Sequence, residues 1–308
     1  RNLTIYNDNN WYSTDTTYAN WNNRTYCIYG TGGAHNNLQI LNNRLKGASY
    51  AIYYSQGSGT SICQNAVISG NIIGGNNPAD YLTVNGVYLY YFNNLLFTKN
   101  EIFNVQSPFN STNGIAGLYT DYLTASTISK NKICAVYQNH GLYTTSTTSH
   151  YGAWGIYVGM YSTNNTIASN AIWDIHTANN NGTTSMTSTY LPNNPLGIYI
   201  KGYSSSSAPT VNKVWFNSVH LYGSQLPSRR PTANRGTTSA CLFFYYYSNI
   251  DQRNNSLKNS MMTEINRYMH YCVISQTSSG ITYSKLDNNN YWLNNNTTGT
   301  NYFLAYFN

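Results

Sequence analysis

The sequence predicts an all-β chain wound as a right-handed parallel β-helix of about nine rungs, with an asparagine ladder and long loop insertions. Two recurring words and their spacing carry that prediction. The first word is an apolar residue, two variable residues, Asn, one variable residue and a second apolar residue. It reads Ile40, Asn43, Leu45; Ile68, Asn71, Ile73; Phe97, Asn100, Ile102; Ile128, Asn131, Ile133; Ile167, Asn170, Ile172; and Val214, Asn217, Val219. Weaker copies set Asn255 before Leu257, and Asn289 between Leu286 and Tyr291. The second word is small, apolar, aromatic, apolar. It begins at Cys27, Ala51, Gly86, Gly155 and Gly197, with later variants around Cys241 and Cys272.

The two words alternate, so each repeat is expected to hold two short strands and turns. Their apolar residues follow period two and include many β-branched and aromatic side chains. They are bounded by Gly, Asn and Ser, which excludes repeats of helix pairs. Successive Asn positions lie 28, 29, 31, 39, 47, 38 and 34 residues apart. Strands of constant length joined by connections of varying length fit a solenoid in which equivalent residues stack at roughly 4.8 Å. A side-chain amide both donates and accepts, and Asn tolerates left-handed φ, so Asn suits a stacked corner. The predicted ladder is Asn43, Asn71, Asn100, Asn131, Asn170, Asn217, Asn255 and Asn289. The repeats occupy residues 1–308 as one β-helix domain, which is expected to be a fragment or processed part of a longer chain.

Composition narrows the function classes. Lys and Arg number 16 against 9 Asp and Glu, a formal charge of +7, but charged residues are only 8% of the chain. Without a dense basic stripe, nucleic acid is an unsuitable partner. Polarity comes instead from 48 Asn together with Ser, Thr and Gly, and 32 Tyr supply abundant burial material. No apolar run approaches the ~20 residues of a membrane span. The composition suits a secreted, extracellular or cell-surface protein. Five scattered cysteines lack metal-ligand spacing, so neither a metal site nor a cofactor is expected.

The stretches VWFNSVHLYG from Val214 to Gly223, RNNSLKN from Arg253, and LDNNNYWLNNNTTGTNYFLAYFN from Leu286 carry a resemblance. They resemble β-helix repeats of large secreted and cell-surface proteins of Bacteroidetes-type bacteria. The likeness covers essentially the whole chain, best from Leu196 to Asn308. It implies type IX secretion-like export and a role as adhesin or stalk, with flanking repeats or other subunits of a surface assembly as partners.

Catalysis is the weaker expectation. Glycoside hydrolysis needs two carboxylates across one bond, and no two of the nine acidic residues share a column on neighbouring rungs in the repeat alignment. A lyase would combine a base with a cation site rich in carboxylates, and Lys130, Lys132, Lys201 and Lys213 have no acidic cluster beside them. His140 and the arginines of the 228–235 loop read as surface loop residues. Binding is favoured. If the apolar residues of the second word face inward, period two turns an aromatic column outward: Tyr29, Tyr53, Tyr88, Tyr119, Tyr157, Tyr199 and Phe243. Such a column offers stacking surface for a polysaccharide or other glycan unless the long insertions bury it. The expected role is therefore a non-catalytic structural or adhesive component. A polysaccharide lyase or glycoside hydrolase is the alternative, and a tailspike-like receptor binder a third. Cys241 and Cys272 share a column, which puts them within disulfide reach.

Overall fold

The computed structural model describes residues 2–7, 24–56, 61–107, 113–139, 150–177, 193–202, 211–224, 237–246, 248–262, 268–276, 281–293 and 300–307. His140 and the arginine loop lie outside them. The described chain is β-strand with short connections, and Pro78–Asp80 forms a 3₁₀ turn. Its strands form three sheets of nine, eight and ten members, and strands adjacent in a sheet are a full turn apart in sequence. The pairings are parallel throughout, for example Ile102 with Ile133 and Ile128 with Ile167. This is the course of a parallel β-helix, and its right-handed sense follows the rule for parallel crossovers.

Each turn holds three strands where the sequence words suggested two. The Asn word is itself broken at its amide. Thr127–Ser129 belongs to the eight-stranded sheet, and Lys132–Gln138, just beyond Asn131, belongs to the nine-stranded sheet. The second word forms the ten-stranded sheet, as in Pro195–Lys201.

Every predicted ladder residue sits at that break. The Nδ2 of each but the last, Asn289, donates to the Oδ1 of the Asn one rung on, from Asn43 to Asn71 at 3.1 Å through to Asn255 to Asn289 at 2.8 Å. The same oxygen accepts the main-chain N–H of the preceding ladder residue, as for Asn100 onto Asn131 at 3.0 Å. The remaining amide hydrogen goes to a carbonyl of the rung before, as from Asn131 to Phe97 at 3.1 Å. A buried amide with all its sites used avoids the desolvation cost that an unpaired one incurs.

The left-handed backbone expected of the Asn belongs to its predecessor. Asn42, Lys99, Lys130, Ser169, Phe216, Asn254 and Asn288 have φ between 50° and 57°, with Gly70 at 67° in the equivalent place. For a non-Gly residue this conformation costs roughly 1–2 kcal/mol. The bonds made by the next residue hold it there.

Inside the coil, stacked side chains form the core. Ile68, Ile128, Ile167, Ile102, Ile133, Ile156 and Ile198 have no exposed surface. The small residue opening the second word has a steric reason. A Cβ at Gly117 or Gly155 would meet the Cγ2 of Ile133 at 2.4 Å or of Ile172 at 2.5 Å. Glycine is kept there by crowding from the nine-stranded sheet.

A tyrosine face on the ten-stranded sheet

The aromatic residue of the second word points out of the coil, and parallel pairing puts its copies in register. Tyr29 pairs with Tyr53, Tyr53 with Tyr88, Tyr88 with Tyr119, Tyr119 with Tyr157, Tyr157 with Tyr199, and Tyr199 with Phe243. All seven predicted residues therefore form one continuous column, which passes from solvent into the protein. Tyr29 is 57% exposed, and Tyr53, Tyr88 and Tyr119 are half-buried. Tyr157, Tyr199 and Phe243 are buried in a second hydrophobic cluster outside the coil, with Trp154, Leu196, Tyr271 and Ile274. Sequence reasoning left exposure and burial as alternatives, and each holds over part of the column.

Ring geometry changes along with burial. Tyr29 on Tyr53, Tyr53 on Tyr88 and Tyr88 on Tyr119 are stacked at 5.6, 4.9 and 4.9 Å with interplanar angles of 15°, 6° and 18°. Beyond Tyr119 the angles open to 38°, 67° and 47°. In the stacked part the ring faces are engaged by their neighbours. The column therefore turns ring edges and hydroxyls outward, rather than the row of faces the sequence suggested. Tyr29, first in the stack and most exposed, has the ring best placed to stack on a sugar.

A polar group is set into the middle of this face. The Tyr157 hydroxyl is hydrogen-bonded to that of Tyr119, which donates to the Asp121 carboxylate, and the Met160 N–H also reaches Asp121. Burial raises the Asp121 pKa from 3.8 to about 7, against the opposing pull of Lys201 and these hydrogen bonds. Burial likewise raises the phenols of Tyr119 and Tyr157. At the exposed end, Arg24 Nη1 donates to the Tyr50 hydroxyl at 2.6 Å, beside Tyr26, Tyr29 and Tyr53.

Three other groupings escaped the sequence words. On the outer face of the nine-stranded sheet, Asp174 accepts from the Tyr137 hydroxyl and lies 2.9 Å from His176 Nε2. Burial opposes ionisation of Asp174, but the bonds from His176 and Tyr137 outweigh it and hold the carboxyl below its usual range. The Asp-x-His spacing, with both residues on one strand face, was the available signal. A second, shorter ladder runs Ser126, Asn165, Asn212, with Ser126 N–H to Asn165 Oδ1 and Asn165 N–H to Asn212 Oδ1 both 3.0 Å. Each of its members lies two residues before the apolar residue that opens the first word. A third set is the corner tyrosines Tyr91, Tyr122 and Tyr161, at φ of 63°, 52° and 62°.

Cys241 and Cys272 do occupy one column, bracketed by the pairs Ala240 with Tyr271 and Leu242 with Val273. Both are free thiols, without the bond that the shared column allows. The Cys241 Sγ is directed at the carbonyl of Lys258, at 3.3 Å, and the Cys272 Sγ at those of Leu257 and Trp292, at 3.4 and 3.5 Å. Among the described residues no group of three or more His, Cys, Asp or Glu is placed to hold a metal ion.

No family model, no curated protein and no solved structure matches this chain. The case for function therefore rests on its own geometry.

Proposed function

We propose that the chain is a non-catalytic, extracellular β-helix that serves as a structural and adhesive element of a cell-surface or fibre assembly and holds a glycan along its tyrosine face. The observation that carries this reading is the half-exposed register of Tyr29, Tyr53, Tyr88 and Tyr119, which repeats one phenol per rung along the coil axis. A polymer running parallel to the axis would meet ring edges at successive rungs, with the Tyr29 ring as a stacking end. The two Asn ladders and the inter-rung main-chain bonds supply stiffness, because each rung is stabilised by its neighbours. Secretion and assembly with further repeats or subunits belong to the same proposal. Among the described residues no helix is long and apolar enough to cross a membrane.

The test is a glycan-binding screen run beside a depolymerisation assay on each glycan bound. Binding that weakens in Tyr29→Ala, with the polymer left intact, supports the adhesive role. Failure of every glycan to bind would remove it.

A second reading, a carbohydrate-active enzyme, has one observation on its side. The half-buried pair Asp174 and His176, with Tyr137, couples an oriented imidazole to a carboxylate and a phenol, a grouping suited to general acid and base work. Release of oligosaccharides that stops in His176→Ala would establish it over the first.

A further inference from the structure

The column that opens the second word changes character towards its end. It holds Gly86, Gly117, Gly155 and Gly197 in successive rungs, then Cys241 and Cys272 in the next two. A Cβ at Gly155 or Gly197 would meet a β-branch of the nine-stranded sheet, the Cγ2 of Ile172 at 2.5 Å or the Cγ1 of Val219 at 2.3 Å. In the following rungs that place is taken by Leu257 and Tyr291, neither of which branches at Cβ. A side chain then has room to enter. Both cysteines do so, with no exposed surface. Their sulfurs lie against consecutive carbonyls of one strand, Ser256–Met262: Cys241 Sγ is 3.3 Å from that of Lys258, and Cys272 Sγ is 3.4 Å from that of Leu257.

We propose that Cys241 and Cys272 are a cross-linking site, which a disulfide oxidant converts to a covalent bond between successive rungs as they close. One cysteine thiol gives up its proton, and the thiolate attacks a sulfur of the oxidant. The oxidant's S–S bond breaks, and its other sulfur leaves and takes up a proton. The second cysteine, deprotonated in turn, attacks the cysteine sulfur of this mixed disulfide, and the oxidant's remaining sulfur leaves as a thiol. The two cysteines lose two hydrogens in all, and the oxidant disulfide becomes two thiols. Burial raises the Cys241 thiol well above its usual range, so the thiolate forms before the rungs pack together.

Register selects this pair among the five cysteines. The pairs Ala240 with Tyr271 and Leu242 with Val273 bracket it. The Cα atoms are thereby held near the ~4.8 Å spacing of neighbouring strands, inside the ~4.4–6.8 Å that a disulfide spans. Cys27 belongs to the same column, but Ala51 and the four glycines stand between it and Cys241. Cys63 is directed at the His35 carbonyl. Cys134 is half-buried on the outer face of the nine-stranded sheet, between Phe103 and Trp173.

The test is expression of the full chain in the oxidising bacterial periplasm and in the reducing cytosol, then alkylation in denaturant without reductant and tryptic peptide mass mapping. Arg253, Lys258 and Arg267 separate the two cysteines. The periplasmic chain should yield a linked peptide pair lighter by two hydrogens, and the cytosolic chain both cysteines alkylated. The thermal midpoint of the linked form should be higher by about 5 °C. Cys241→Ser should remove the linked pair and that difference, whereas Cys134→Ser should leave both. Refolding the cytosolic chain from urea in a glutathione redox buffer gives the same readout without secretion. Alkylation of both cysteines in oxidised chain that circular dichroism shows to be folded would overturn the proposal. Links from either one to Cys27, Cys63 or Cys134 would do so too. Such a bond persists in oxidising surroundings, the setting of the extracellular role proposed above. The redox environment is set by the experimenter, so the outcome is separate from that of the glycan screen.

Discussion

The two ends of the tyrosine column share one sequence word and one register, yet they pack differently. From Tyr29 to Tyr119 the rings lie nearly parallel and reach solvent. From Tyr157 to Phe243 they are tilted, buried and locked among Trp154, Leu196 and Tyr271. Parallel pairing fixes only the rise between rungs, and both ends obey it. What differs is the neighbouring outward column. It holds Tyr26, Tyr50 and Asn85 at the first end and Ala116, Trp154 and Leu196 further on. An indole or leucine inserted beside the column turns the rings out of parallel and extends the apolar surface they bury. One half is thereby suited to contact a ligand and the other to hold rungs together.

Truncation should separate the halves most strongly. Tyr199→Ala opens a hole in the buried cluster and is expected to cost about 3–5 kcal/mol in urea unfolding, whereas Tyr53→Ala should cost only about 1 kcal/mol. Equal losses would show that the exposed stack is structural as well.

The ladder gives a reference common to both halves. Asn131→Ala leaves the Asn100 N–H and amide without their acceptor and removes two donated bonds. A loss of about 2–4 kcal/mol is expected. Asn131→Asp removes the donors and buries a carboxylate. Its loss should shrink as the pH is lowered, which unfolding curves at pH 4 and pH 7 would reveal.

The polar group between the halves sharpens the comparison through pH. Asp121 titrates near 3.8 unfolded and about 7 folded. Between those values the native state holds a proton that the unfolded chain lacks, so stability falls as pH rises through that window. His270, buried in the second half, shifts from 6.5 to about 3, again through burial. Its native form refuses a proton that the unfolded form accepts, so its contribution is lost as pH falls from 6.5 towards 3. The two slopes oppose each other. The wild-type profile should be shallow between pH 4 and 6.5. Asp121→Asn should then lose stability towards acid, and His270→Gln towards neutral pH, as measured by thermal midpoints. Parallel profiles for the two variants would contradict the assignment.

The smallest effect expected is on binding. Tyr29→Ala should weaken a bound glycan by about 1 kcal/mol, roughly fivefold, and Tyr199→Phe should leave it unchanged in a titration. A reversed order would move the ligand to the other end of the column.

Much of this architecture was legible in one dimension because a solenoid repeats each local decision. Asn43, Asn71 and Asn100 recur with apolar residues at fixed offsets, and the same spacing aligned Tyr53, Tyr88 and Tyr119. Less was legible at the corners. Lys99, Lys130 and Phe216 carry no composition cue for left-handed backbone. They adopt it because the ladder residue that follows must point its amide inward. The clasp of Asp174 by Tyr137 and His176 joins residues 37 positions apart, and no repeated word announces it. The thiols of Cys241 and Cys272 were placed in their shared column, but a register does not say which way a sulfur turns.

By itself the sequence determined what repeats: the class of fold, the ladder amides, the inward aliphatic stacks and the identity of the outward column. Those properties depend on side-chain period and rung spacing, which a linear text records directly. Only the tertiary structure decided the third strand of each turn, and the exposure of one column end and the burial of the other. These depend on which side chains of different rungs and sheets compete for one volume, and that competition exists only once the chain has coiled.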